Sequence, residues 1–154
     1  MTAPEKLPTP TLIAFASVGY LALLVAGLGI ASVIADDDVI STPEVSLVAA
    51  YTAAGLAIVG FALLLLAPLS HARPSYWSAV STGVGSAGLY VIALGIGVLL
   101  SSGELSLVAA VLREVLLGWV VPVVLGSALI AAWAAIAMRR TAASRPRWPW
   151  EDEE

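Results

Sequence analysis

The sequence predicts an all-α polytopic membrane protein: a bundle of four transmembrane helices, with signs of two tandem helical hairpins. Three observations carry this. The chain of 154 residues is 60% hydrophobic and only 12% charged, with a mean hydropathy of +0.97. A soluble domain is usually about 45–50% apolar and about 25% charged. A chain this short leaves roughly 30% of its unfolded surface exposed, so a water-soluble fold could not hide so much apolar area. Second, the apolar residues fall into four uninterrupted runs: 12–35, 45–67, 77–100 and 115–138. None of them holds Asp, Glu, Lys, Arg or His. Third, each run is 23 or 24 residues long. About 20 helical residues cross about 30 Å of hydrocarbon, and such runs are far too long for barrel strands.

The elements follow in order. Residues 1–11 form a short polar lead into the first span, 12–35. Ser41-Thr42-Pro43-Glu44 then reads as a cap, a first-turn proline and an acid at the positive helix end, opening the second span. Pro68 and Pro74 bracket a turn at Leu69–Arg73 before the third span. Ser101-x-x-Glu104 has capping-box spacing ahead of the fourth. Pro122 lies inside that span and predicts a kink or packing step. A helix from Glu104 to Met138 would be about 52 Å long, too long to cross without protruding. A short interfacial helix at Leu105–Leu112, turning into the membrane at Arg113–Glu114, resolves this. Residues 139–154 form a basic, aromatic and then acidic tail.

Orientation follows from the cations. Lys6, Arg73, Arg139, Arg140, Arg145 and Arg147 fall on one side, and Arg113 alone on the other. The loop after the first span carries Asp36, Asp37, Asp38 and Glu44 with no Lys or Arg. The positive-inside rule then places both termini in the cytoplasm. Val33-Ile34-Ala35 has the small-residue character of a signal-peptidase site. Its apolar run of 24 exceeds the 7–15 residues of a secretory core, and an uncleaved span is expected. Glu44–Ala50 and Glu104–Ala110 agree at six of seven positions, which suggests duplicated hairpins or a coincidence of composition.

Membrane helices pack through small residues and side-chain hydrogen bonds. The first span sets Gly19, Ala22, Ala26 and Gly29 on one face, and the second Ala50, Ala53, Ala57 and Gly60. The third sets Ser81, Gly88, Gly95 and Ser102 seven apart, and Ser78, Thr82, Ser86 and Tyr90 four apart. The hydroxyl stripe is either helix glue or a polar path, with the third span as central element or oligomer seam. Gly83-x-Gly85-x-x-Gly88 lies mid-span, where it packs helices and does not cradle a dinucleotide. Tyr76, Trp77 and Trp133 sit at belt positions. Arg139, Arg140, Arg145 and Arg147, with Trp148 and Trp150, suit lipid headgroups or a docking partner. Arg113 is set to pair with Asp37 or its neighbours, or to take an anion.

Several chemistries have no residues here. The chain has no Cys, Asn or Gln and one His. His71 and the Asp36–Asp38 run belong to opposite surfaces, so no metal site and no cofactor is expected. No span pairs a base with Ser or Thr for nucleophilic attack. No intramembrane carboxylate or His is present to carry protons, unlike the small four-helix drug exporters the chain matches in size. Quinone-linked thiol oxidoreductases with four helices need Cys. A net charge of −4 with no basic stripe outside the tail argues against nucleic acid. In its four spans, acidic outer loop and Arg/Trp/Pro tail, the chain resembles small uncharacterised four-helix membrane proteins of high-GC bacteria. That resemblance implies no functional residue. The expectation is a non-enzymatic plasma-membrane protein, an accessory subunit or scaffold. Its partners would be the bilayer and other membrane proteins or copies of itself. The alternative is a small oligomeric transporter or channel lined by the third-span hydroxyls.

Overall fold

The computed structural model describes residues 8–36, 38–40, 46–71 and 74–143. They form five helices and no strand: α1 (Thr9–Ala35), α2 (Leu47–Leu69), α3 (Trp77–Ser102), α4 (Leu105–Leu117) and α5 (Val120–Ala143). Four of them, α1, α2, α3 and α5, are long and apolar enough to cross a membrane.

The helix ends show why the elements sit where they do. Pro8 caps α1 and Pro10 falls in its first turn, where a proline's missing N–H costs nothing, so α1 begins three residues before the apolar run. Asp36 ends it in the left-handed region (φ 51°), its N–H donating to the Ser32 carbonyl. Short polar side chains tolerate that conformation. The cap expected at Ser41–Glu44 lies outside the described residues, and Ser46 caps α2 by accepting from the Val48 N–H at 3.2 Å. α2 runs through Pro68, and the His71 ring lies 2.9 Å from the Ala67 carbonyl at its end. Gly103 (φ 70°) closes α3, donating to the Leu99 carbonyl. The expected capping box does not form. Ser101 is in the last turn of α3, with its hydroxyl on the Val98 carbonyl, and Glu104 itself is the residue before α4.

The region before the last span differs most from expectation. The short helix exists but extends five residues further, so Arg113 and Glu114 lie within α4. The chain turns instead at Gly118–Trp119. Gly118 is extended, and a Cβ there would stand 2.7 Å from the Glu114 carbonyl oxygen, so only glycine fits without a shift. Pro122 then falls in the first turn of α5, where the helix has no carbonyl waiting for its N–H. At that place it costs the helix no hydrogen bond and gives no reason for a kink. The Leu112 side chain packs over Gly95, which sets α4 on the far end of α3.

The four long helices form a ring: α1 beside α2, α2 beside α3, α3 beside α5 and α5 beside α1. Residues 8–11, 70–71, 74–76 and the end of α5 share one end of the bundle. Residues 36, 38–40, 46 and 103–119 share the other. The α2–α3 seam is the most extensive, and glycines bring its backbones close. Gly60 receives Leu89, Gly85 receives Leu64, and Gly97 faces Ala49, each contact joining α2 to α3. Gly83 receives Leu129 of α5, and Gly27 of α1 receives Val123 of α5. The small-residue face expected on the second span is the packed one: Ala53, Ala57 and Gly60 are buried. The face expected on the first span is not. α1 buries Leu12, Ala16, Tyr20 and Leu24. Gly19 and Gly29 meet nothing within 4 Å of a would-be Cβ, and Ala22 and Ala26 are exposed. The buried face of α1 is thus the row through Tyr20, with Gly27 as the one glycine of α1 beneath a neighbour's side chain.

The described part of the first near-identical heptapeptide, 46–50, and the second, 104–110, both open helices, but in different settings. Ser46 caps the span α2, whereas its counterpart Ser106 is already inside the short helix α4.

Candidate functional site

The polar centre of the bundle is a three-helix contact at mid-depth. Tyr20 is the twelfth residue of α1 and Ser86 the tenth of α3. At 1.5 Å per residue both lie about 14–17 Å from the end that bears Arg139, near the middle of a hydrocarbon layer. Tyr20 is the largest fully buried side chain. α1 and α3 are diagonal in the ring, and the tyrosine reaches across it. Its ring packs on Phe61 of α2 with centroids 4.8 Å apart. Its oxygen lies 3.1 Å from Ser86 Oγ, which also lies 3.0 Å from the Ala57 carbonyl. Serine has one hydroxyl proton and a carbonyl can only accept. The Ser86 proton therefore goes to Ala57, and the tyrosine proton closes the contact to Ser86. Three helices are tied by two hydrogen bonds in a setting where an unmade one is costly.

Of the third-span stripe, Thr82, Ser86 and Tyr90 are buried inside the monomer and Ser78 is half-buried. The stripe thus faces the core of a single chain, not a seam between copies. The seven-residue series divides: Gly95 is buried beneath Leu112, whereas Gly88 is exposed with nothing within 4 Å. The mid-span glycine cluster divides in the same way. Gly83 packs on α5, Gly85 on α2, and Gly88 faces outward. Tyr20 was not among the residues singled out by spacing. The available signal was its position: a hydroxyl-tipped ring at the centre of an otherwise apolar run, in i, i+4 phase with Leu12, Ala16 and Leu24.

A second cluster marks the Arg139 end. The Tyr76 ring stacks on Trp133 at 6.2 Å and lies beneath the Arg140 guanidinium, 4.6 Å from its centroid. Trp77 and Trp133 are exposed. Arg139 and Arg140 are half-buried near the end of α5. The stack gathers two aromatic rings and a cation where a membrane helix would leave the hydrocarbon. Arg145, Arg147, Trp148 and Trp150 lie outside the described residues, as does Asp37, the expected partner of Arg113. Arg113 itself is exposed on α4. His71 and Asp38 stand at opposite ends of α2, about 35 Å apart along its axis. Among the described residues no three His, Cys, Asp or Glu gather as metal ligands.

A cavity of about 420 Å³ opens near the Asp38 end. Asp38 and Ser46 are at its rim, Ala50 and Ala54 line it from α2, Leu28 from α1, and Tyr90 from α3.

Residues 7–154 match a family of unknown function (DUF6121), and the chain belongs to that family. No curated protein and no solved structure matches it.

Proposed function

We propose that this chain is a non-enzymatic accessory subunit or scaffold of a larger assembly in a bacterial plasma membrane. What supports the reading is the fate of the deepest polar groups: the Ser86 and Tyr20 hydroxyls close on each other and on the Ala57 carbonyl. They hold helices and offer no free nucleophile, base or ligand set. The chain would sit with both termini in the cytoplasm, since the order of the spans along the sequence groups Lys6, Arg73 and the four C-terminal arginines on one side. Arg139, Arg140 and the Tyr76–Trp133 stack would rest at the headgroups there, with Arg145, Arg147, Trp148 and Trp150 following them.

Purification of the intact chain from its host membrane in mild detergent tests the assembly. A membrane protein recovered with it in fixed stoichiometry is expected. Solute flux or turnover by the purified chain alone in liposomes overturns the reading. The chain has no cysteine, so single replacements report orientation directly. Ser70→Cys should react with an impermeant maleimide only after the cytoplasmic side is opened, and Asp38→Cys from outside.

The competing reading is an oligomeric transporter or channel using Ser78, Thr82, Ser86 and Tyr90. A route along those residues would run within each monomer and past the Tyr20–Ser86 contact. Thr82→Val leaves that contact intact, so unchanged flux in the variant would discard the route.

A further inference from the structure

We propose that the cavity at the Asp38 end of the bundle binds a single-chain cationic amphiphile, its head at Asp38 and its tail between α1, α2 and α3. The proposal goes beyond the accessory reading and does not depend on it.

The volume, about 420 Å³, is within the range of pockets that enclose small ligands. Helix bundles close-pack, and a pocket this deep leaves the facing helices without partner atoms there. It persists here because α2 presents Ala50 and Ala54 where larger side chains would fill the space. From Ser46 to Ala54 the lining follows α2 for eight residues, a depth of about 12 Å. The deep end holds Leu28, Ala54 and Tyr90, which suit an alkyl chain. Val39 and Ile40 line it from the segment beyond α1 and pack on the core.

Two features select the ligand class. The flank of the cavity is formed by Leu47 and Tyr51, which are 71% and 73% exposed. In a bilayer they face lipid, so the cavity is open sideways to molecules already partitioned in the membrane. The charged group among its described lining residues is Asp38. An anionic head would meet like charge there, and a cationic one would be attracted. Ser46 spends its oxygen accepting from Val48, which leaves its hydroxyl proton for a neighbouring acceptor.

The intact chain in nanodiscs of neutral phosphatidylcholine tests this, with decylammonium carrying a terminal photoreactive diazirine as probe. Peptide mapping should place the label on Ala54, Tyr90 and their neighbours. Unlabelled decylammonium should compete about tenfold better than decyl sulfate or decanol. Asp38→Asn should erase that preference, and Ala54→Phe should remove the label from the cavity. Even labelling along lipid-facing positions such as Val25 and Ile30 overturns the proposal. So does equal competition by decyl sulfate, or cavity labelling that survives Ala54→Phe in a folded variant. Should Ala54→Phe fail to fold, Asp38→Asn decides alone, because Asp38 is exposed and outside every helix. A cation preference that persists in that variant overturns the proposal.

Discussion

α1 and α3 are equally apolar to the eye, yet they play opposite parts. In their most apolar windows α1 is 11% buried and α3 is 39% buried. α3 is touched on several sides, by α2, α4 and α5, and receives leucines from two of those neighbours at Gly83 and Gly85. α1 holds on by the row Leu12, Ala16, Tyr20 and Leu24, flanked by half-buried Ile13 and Leu28, plus Gly27 against Val123. The contrast teaches that in lipid, small residues bring helices together only where a neighbour supplies the knob. On α1 a large side chain, Tyr20, makes the reach across the bundle, and Gly19, Ala22, Ala26 and Gly29 receive no such knob.

The contrast can be broken most forcefully at Tyr20. Tyr20→Ala removes a fully buried ring that reaches across the bundle, and the loss should be about 3–5 kcal/mol. Tyr20→Phe keeps the ring and deletes only the donor to Ser86, which should cost about 0.6–1.7 kcal/mol. Unfolding of the two variants in mixed detergent micelles measures both. Equal losses would mean that the hydroxyl, not the ring, fixes α1.

The next effect belongs to α3. Gly83→Leu drives a side chain into Leu129, whose backbone nitrogen lies 3.4 Å from the would-be Cβ. Overpacking of this kind costs about 1–3 kcal/mol. The same measurement should show it, and no loss would mean that α3 and α5 are held more loosely than their contact implies.

What could be read from sequence divides along the same line. Span number and length were legible because the hydrocarbon thickness imposes them on composition. The second-span face at Ala53, Ala57 and Gly60 was legible because close approach there requires small residues. The α1 face was not, because Gly19, Ala22, Ala26 and Gly29 have packing spacing with no partner to receive. Periodicity has little purchase on a helix that is apolar all round. The turn before α5 was misplaced at Arg113–Glu114 because charge is a visible marker. The chain in fact turns at Gly118, where an extended backbone has to clear the Glu114 carbonyl. Of the central contact, Ser86 was legible as one of a hydroxyl series. Tyr20 and the Ala57 carbonyl were not, since a diagonal hydrogen bond between residues 66 apart leaves no local pattern.

A smaller effect of opposite sign is expected one turn below Tyr20. The Ser17 hydroxyl is buried and has no hydrogen-bond partner among the described residues. Burying such a group costs about 1–3 kcal/mol, and methyl fits the same space. Ser17→Ala should therefore stabilise the bundle by about 1 kcal/mol. The same unfolding assay checks the sign. A destabilised variant would mean that the hydroxyl is engaged in the membrane by a group such as a bound water.

The smallest effect is the sharpest test of the contrast. Gly19→Leu adds a bulky side chain at a position with packing spacing where a would-be Cβ has no neighbour within 4 Å. On the isolated chain the change should stay within about 0.5 kcal/mol, as for substitutions that meet nothing. Replacing glycine inside a helix also removes a propensity penalty, so a slight gain is the more natural sign. The purified monomer and the chain in its native membrane can then be compared. If Gly19→Leu is silent in the first but lowers the amount of protein retained in the second, the outward face of α1 is occupied in the cell. If it destabilises the monomer as much as Gly83→Leu does, α1 lies closer to its neighbours than the open space around Gly19 implies. The division between a knob-fastened α1 and an interlocked α3 would then fall.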